Sequence, residues 1–228
     1  MKLIYPASLA KTLDAVNEAL FLGRTLNAAD RALAARWIAA RQGLPGAYAD
    51  MFAPTNADFG NGIRVFTGER IGTRAGTAHI LGEEASRALI LLDSSDRTVR
   101  ETLARAGAGM NARLEDTEAR GHRVGAYCCG TCSAAFWRHL AVGGLAHPDR
   151  WLGAGMKALK SRRSGDGKWR VFPFWYTLLA LSEIELPAAV SEMRHAAPRC
   201  EAYLTRWRAG ENYAQRRRAV AEQVLARC

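Results

Sequence analysis

Apolar residues recur at intervals of three and four along most of the chain. In ASLAKTLDAVNEALFLG, which begins at Ala7, Leu9, Leu13, Val16 and Leu20 fall on one face of a helix, and Gly23 follows at a plausible stop. NAADRALAARWIAARQG opens on the candidate cap Asn27 and ends at Gly43. The same spacing predicts helices in AHILGEEASRALILLD, SSDRTVRETLARAGAGMNARLEDTEAR, TCSAAFWRHLAVGG, HPDRWLGAGMKALKSRR, FPFWYTLLALSEI, PAAVSEMRHAAPRCEAYLTRWR and NYAQRRRAVAEQVLAR. No series of alternating β-branched runs competes with them, so the predicted class is all-α. The one interruption, FGNGIRVFTGERIGTRAG at 59–76, holds five glycines and predicts a long irregular loop or a small hairpin.

Three segments align without a gap: ARQGLPGAY at 40–48, ARGHRVGAY at 119–127 and SRRSGDGKW at 161–169. Arginine recurs at Arg41, Arg120 and Arg162, glycine at Gly46, Gly125 and Gly167, and an aromatic at Tyr48, Tyr127 and Trp169. The pattern predicts a helix, a glycine turn, a ring that plugs the corner, and a second helix. Glycine suits such a turn because it tolerates positive φ. Hairpins of this kind bury their apolar faces only by stacking, so 1–228 reads as a single α/α repeat domain with turns near 43–48, 121–127 and 164–169.

The first copy spaces Trp37, Ile38, Gln42, Gly46 and Tyr48 in a pattern that resembles the glutamine and tryptophan repeat of the squalene and hopene cyclases, whose α/α toroid is shared with the protein prenyltransferase β subunits. The third copy, Leu159, Arg163, Gly167 and Trp169, is similar and is followed by FPFWYTLLALSEI as the usual inner helix. The resemblance implies helical hairpins forming a partial or small α/α toroid. It further implies that AYADMFAPT, TCSAAFWRHLAV and FPFWYTLLALSEI are inner helices around a concavity. On that wall Phe136, Trp137, Phe174 and Trp175 are the candidate contacts for an apolar or isoprenoid-like small molecule, with Phe52, Phe172 and Tyr176 beside them, although aromatics at helical spacing are equally what a core requires. Arg64, Arg70 and Arg74 on the glycine-rich stretch are candidate clamps for an anionic headgroup.

The cyclases' Asp-x-Asp-Asp motif is absent, and Asp93 and Asp96 in LLDSSDRT read as N-cap residues before a helix. His79, near Glu83 and Glu84, is a candidate for acid or base chemistry, but its spacing of four to Glu83 reads first as a surface helix pair. Three of the five cysteines crowd into GAYCCGTCSAAFW at Cys128, Cys129 and Cys132, ahead of a predicted helix whose N-terminus favours a thiolate. The prenyltransferases hold zinc with an Asp-x-Cys at a comparable turn. Here Gly130 and Cys132 stand at those two positions, so Cys129 and Cys132 are the candidate metal ligands, zinc is the candidate cofactor, and a fourth ligand would have to come through the fold from His122, His139 or Cys200. Whether the chain is an enzyme using this cluster or a non-catalytic binding protein stays open.

Charge adds a further class of partner. Residues 150–228 hold 15 Lys+Arg against 7 Asp+Glu, most of the chain's net +10, which points to nucleic acid or another anionic partner for that segment, or to a solubilising face. A three-residue apolar run before Pro6 and no apolar stretch of membrane-spanning length predict a cytoplasmic protein without a membrane span.

Overall fold

Ten helices and one two-stranded hairpin form among the described residues of the computed structural model, which are 2–122, 124–208, 210 and 212–228. The order is α1 (Leu9–Phe21), α2 (Ala28–Ala39), α3 (Asn56–Asn61), β1 (Ile63–Arg64), β2 (Arg70–Ile71), α4 (Arg74–Leu92), α5 (Arg97–Ala119), α6 (Gly130–Ala141), α7 (Pro148–Lys160), α8 (Phe174–Ser182), α9 (Pro187–Arg206) and α10 (Ala214–Ala226). The fold class is all-α. Side-chain oxygens start most of the early helices: Ser8, Asn27, Thr73 and Asp96 each accept a backbone N–H of the first turn, and Thr55 with Asp58 closes a capping box on α3. No helix among the described residues is long and apolar enough to cross a membrane.

The chain divides into two compact units, the first from 1–64, 70–122 and 142–146, the second from 65–69, 123–141 and 147–228. In the first, α4 packs against α1, α2, α3 and α5. Every residue from Gly76 to Leu89 is buried, so this helix is covered on all sides. Arg31 donates twice to the Leu92 carbonyl, satisfying an end of α4 that its own backbone cannot.

In the second unit α6 packs on α7 and α8, and α8, α9 and α10 pack on one another. α8 begins after Pro173 with no side-chain cap of its own. Glu69 fills that role from the hairpin tip, its Oε1 accepting the Tyr176 N–H at 3.0 Å. Two carboxylates tie the helices and turns of this unit: half-buried Glu183 takes a forked pair of bonds from Arg138 on α6, and buried Glu192 on α9 takes Arg163 and the Trp169 indole N–H.

The aligned glycines behave alike, with φ of 93° at Gly46, 78° at Gly125 and 76° at Gly167. The segment expected to follow the first of them as a helix differs. Residues 47–55 form turns and extended backbone: Ala49 and Asp50 sit at φ 48° and 54°, and Gln42 bridges Phe52. The proline at 54 biases Ala53 away from helix, and the Gln42 side chain donates to the Asp50 carbonyl at 2.8 Å, holding the doubled-back strand. The glycine-rich 59–76 stretch resolves into the end of α3, the β1–β2 hairpin and the first turn of α4.

Candidate thiol centre at the start of α6

Gly125 enters the turn before α6 at positive φ and lies directly on the backbone of Ala154 and Gly155 in α7, leaving no room for a Cβ. Its carbonyl accepts the indole N–H of Trp137 at 2.7 Å, so a ring one helical stretch later supports the turn from beneath. Ser133 ties the turn to the helix: its hydroxyl accepts the Tyr127 N–H and donates to the Cys129 carbonyl, both at 2.8 Å. Cys129 therefore occupies the cap position of α6. Its sulfur accepts the Cys132 N–H at 3.4 Å, where a serine or aspartate oxygen is the usual acceptor.

The three thiols converge. The Sγ atoms of Cys128 and Cys132 lie within 4.8 Å of each other, and each is in hydrogen-bonding contact with Cys129. Cys128 and Cys129 are exposed while Cys132 is buried. Donation from the Cys128 and Cys132 thiols, with the Thr131 and Cys132 N–H groups behind them, holds Cys129 far below the usual thiol range. The reciprocal effect pushes Cys132 upward, chiefly through its contacts with Cys128 and Cys129 and then by burial, and pushes Cys128 upward through Cys129. Ionisation is thus favoured at Cys129 and disfavoured at Cys128 and Cys132.

On the other side of the cap lies a strained loop. Val171 is 76% exposed with φ 65°, a region a β-branched residue rarely enters. That conformation lays its carbonyl against the Cα of Gly130, at the first residue of α6, where any side chain would collide. Phe172 then stacks on Trp137 with ring centres 5.6 Å apart. The loop, the thiols and the helix start are consequently one packed assembly within the second unit.

The candidate ligand-contacting rings fall into two groups. Phe136 and Trp137 are fully buried, Phe136 between Tyr127 and Trp151 and Trp137 between Phe172 and Gly125. Phe174 and Trp175 are half-buried and meet edge to face at 4.9 Å, continued by Trp169 on one side and Tyr203 on the other, with Arg199 over Phe174. Arg74 belongs to the first unit, where it opens α4 and lies over the Phe59 ring at 4.2 Å. Cys200 is buried in α9 and burial pushes its thiol up to about 12.

The first unit corrects one expectation. His79 and Glu83 pair at 3.2 Å, but both are buried, because α4 has no solvent face at that level. Tyr48 lies over the His79 ring at 4.6 Å, and its hydroxyl accepts from Arg113. One turn further on, Asn17 donates to Glu84 and accepts from Arg87, linking three more buried polar side chains. Asp96 is the N-cap of α5 as its position predicted, whereas Asp93 ends α4 in the left-handed region and caps no helix start.

Sequence reasoning passed over Trp137 as a turn support and Val171 as the residue closing on Gly130. A faint signal existed for the second, a glycine at the start of a helix with no turn to explain it. Comparisons with protein-family models, curated proteins and solved structures find no match to this chain.

Proposed function

We propose that the chain is a thiol enzyme in which Cys129 attacks a disulfide substrate and Cys132 resolves the adduct. The observation that carries this is the cap of α6: an exposed sulfur at Cys129 accepts the N–H of a buried cysteine three residues on, so attacking and resolving groups share one helix start. The Cys129 thiolate displaces one sulfur of the substrate and forms a mixed disulfide. The departing thiolate takes a proton, Cys132 gives up its own and attacks Cys129 Sγ, and the second substrate sulfur leaves. One disulfide is reduced to two thiols as Cys129 and Cys132 are oxidised, and a low-molecular-weight thiol restores them. With glutathione disulfide, Cys132→Ser should accumulate a glutathionyl adduct that fragment-ion mass spectrometry places on Cys129. Wild type should pass on to an internal disulfide. No adduct in Cys132→Ser, or one confined to Cys128, would sink the proposal.

A second reading is favoured by the half-buried Phe174, Trp175 and Tyr203 beside exposed Val171: an apolar or isoprenoid-like molecule held on these rings, as the cyclase and prenyltransferase resemblance implies. Solvent extraction of purified protein followed by mass spectrometry would supply that molecule, and Trp175→Ala should release it. An extract with no stoichiometric apolar compound removes this reading.

A further inference from the structure

We propose that Cys128, Cys129 and Cys132 together form a three-coordinate site for a soft, thiophilic ion of the Cu(I) or As(III) type. The inference goes beyond disulfide exchange, which uses only Cys129 and Cys132, and gives Cys128 a role. Three sulfurs from a five-residue segment lie at one helix start, Cys128 and Cys132 Sγ within 4.8 Å of each other and Cys129 Sγ accepting the Cys132 N–H at 3.4 Å. Two sulfurs at that separation can close on one ion, and Cys129 offers a third from the same turn. The serine beside the sulfurs, Ser133, is not a competing oxygen ligand, since its hydroxyl is spent on the Tyr127 N–H and the Cys129 carbonyl. Zinc takes four ligands in closed sites, whereas soft monovalent copper accepts fewer and selects sulfur. Exposure of Cys128 and Cys129 gives an incoming ion a path, and the packing of Gly130 under Val171 fixes the segment in advance.

The chemistry balances without any redox partner. Arsenous acid, one proton, the Cys129 thiolate and the two thiols condense to one As–S3 centre and three waters. Cu(I) takes all three sulfurs as thiolates and releases the protons that Cys128 and Cys132 hold, and the dianionic centre sits in a chain of net charge +10.

Fully reduced full-length protein, free of disulfide, should be titrated separately with arsenite and with Cu(I) buffered by a competing chelator. One equivalent of either should remove three titratable thiols. Ser at any of positions 128, 129 or 132 should weaken binding by at least about tenfold, while Cys200→Ser and Cys228→Ser leave the stoichiometry of one unchanged. Response to arsenite alone or copper alone identifies the ion and supports the site. Loss of two thiols per ion, or full affinity in Cys128→Ser, overturns it. Because no disulfide is present, a negative result here leaves exchange at Cys129 standing, and failed exchange leaves this site standing.

Discussion

Trp137 bears on the turn through a single nitrogen. Trp137→Phe keeps the stack on Phe172 but strands the buried Gly125 carbonyl, so the protein should lose about 1–3 kcal/mol in urea unfolding. Cys200 makes a different point about individual residues. Its thiol ionises near 9 when unfolded and near 12 in the folded chain, so the folded state keeps the proton longer. The resulting stability is complete below pH 9 and drains away as pH rises towards 12. Urea midpoints measured across that window should fall more steeply for wild type than for Cys200→Ala. In the native protein at neutral pH, iodoacetamide should leave Cys200 unmodified until denaturant is added.

Among the elements, the start of α6 depends most on close approach. Gly130→Ala puts a methyl group into the Val171 carbonyl, a clash of backbone against helix that neither side can swing away from. The variant should lose about 1–3 kcal/mol or more and, because the same contact fixes Cys129, should lose its preference for alkylation at that cysteine. Helices such as α1 and α5 were legible from their apolar spacing, α5 also from Asp96 at its start, and the glycine turns at 46, 125 and 167 from their recurrence. Residues 47–55 were not, because the helix expected there came from position after a turn while Pro54 and the bonds of Gln42 and Arg41 to the carbonyls of Asp50, Ala53 and Pro54 shape the segment. The thiol cluster was visible as a count and a spacing. Its charge asymmetry was not, since that comes chiefly from which sulfur the other two thiols donate to. Burial of His79 and Glu83 was equally hidden, because it depends on neighbours from helices remote in sequence that cover every side of α4.

For the whole molecule, charge is the quantity that acts at a distance. A net +10 and a sequence pI near 9.8 predict that duplex DNA of unrelated sequences binds with equal affinity, and that this affinity falls about a hundredfold or more between about 50 and 200 mM salt. Filter binding across a salt series checks both points, and a sequence preference surviving at high salt would contradict them. Little in this chain's surface charge calls for specificity, because many of the basic side chains in the later segment are already engaged, Arg163 with Glu192, Arg199 with Asp166, Arg218 with Glu222 and Arg227 with Glu185.

The two units are also interleaved in sequence: the first needs 142–146, and the second takes 65–69 from the hairpin tip. On the ribosome this sets a timetable. Residues 1–122 emerge first but cannot complete their unit until 146 has been made, while Glu69 is synthesised more than a hundred residues before the α8 backbone it will cap. A nascent chain halted between 122 and 146 would therefore be expected to stay protease-sensitive, and chaperones would meet both units unfinished at once.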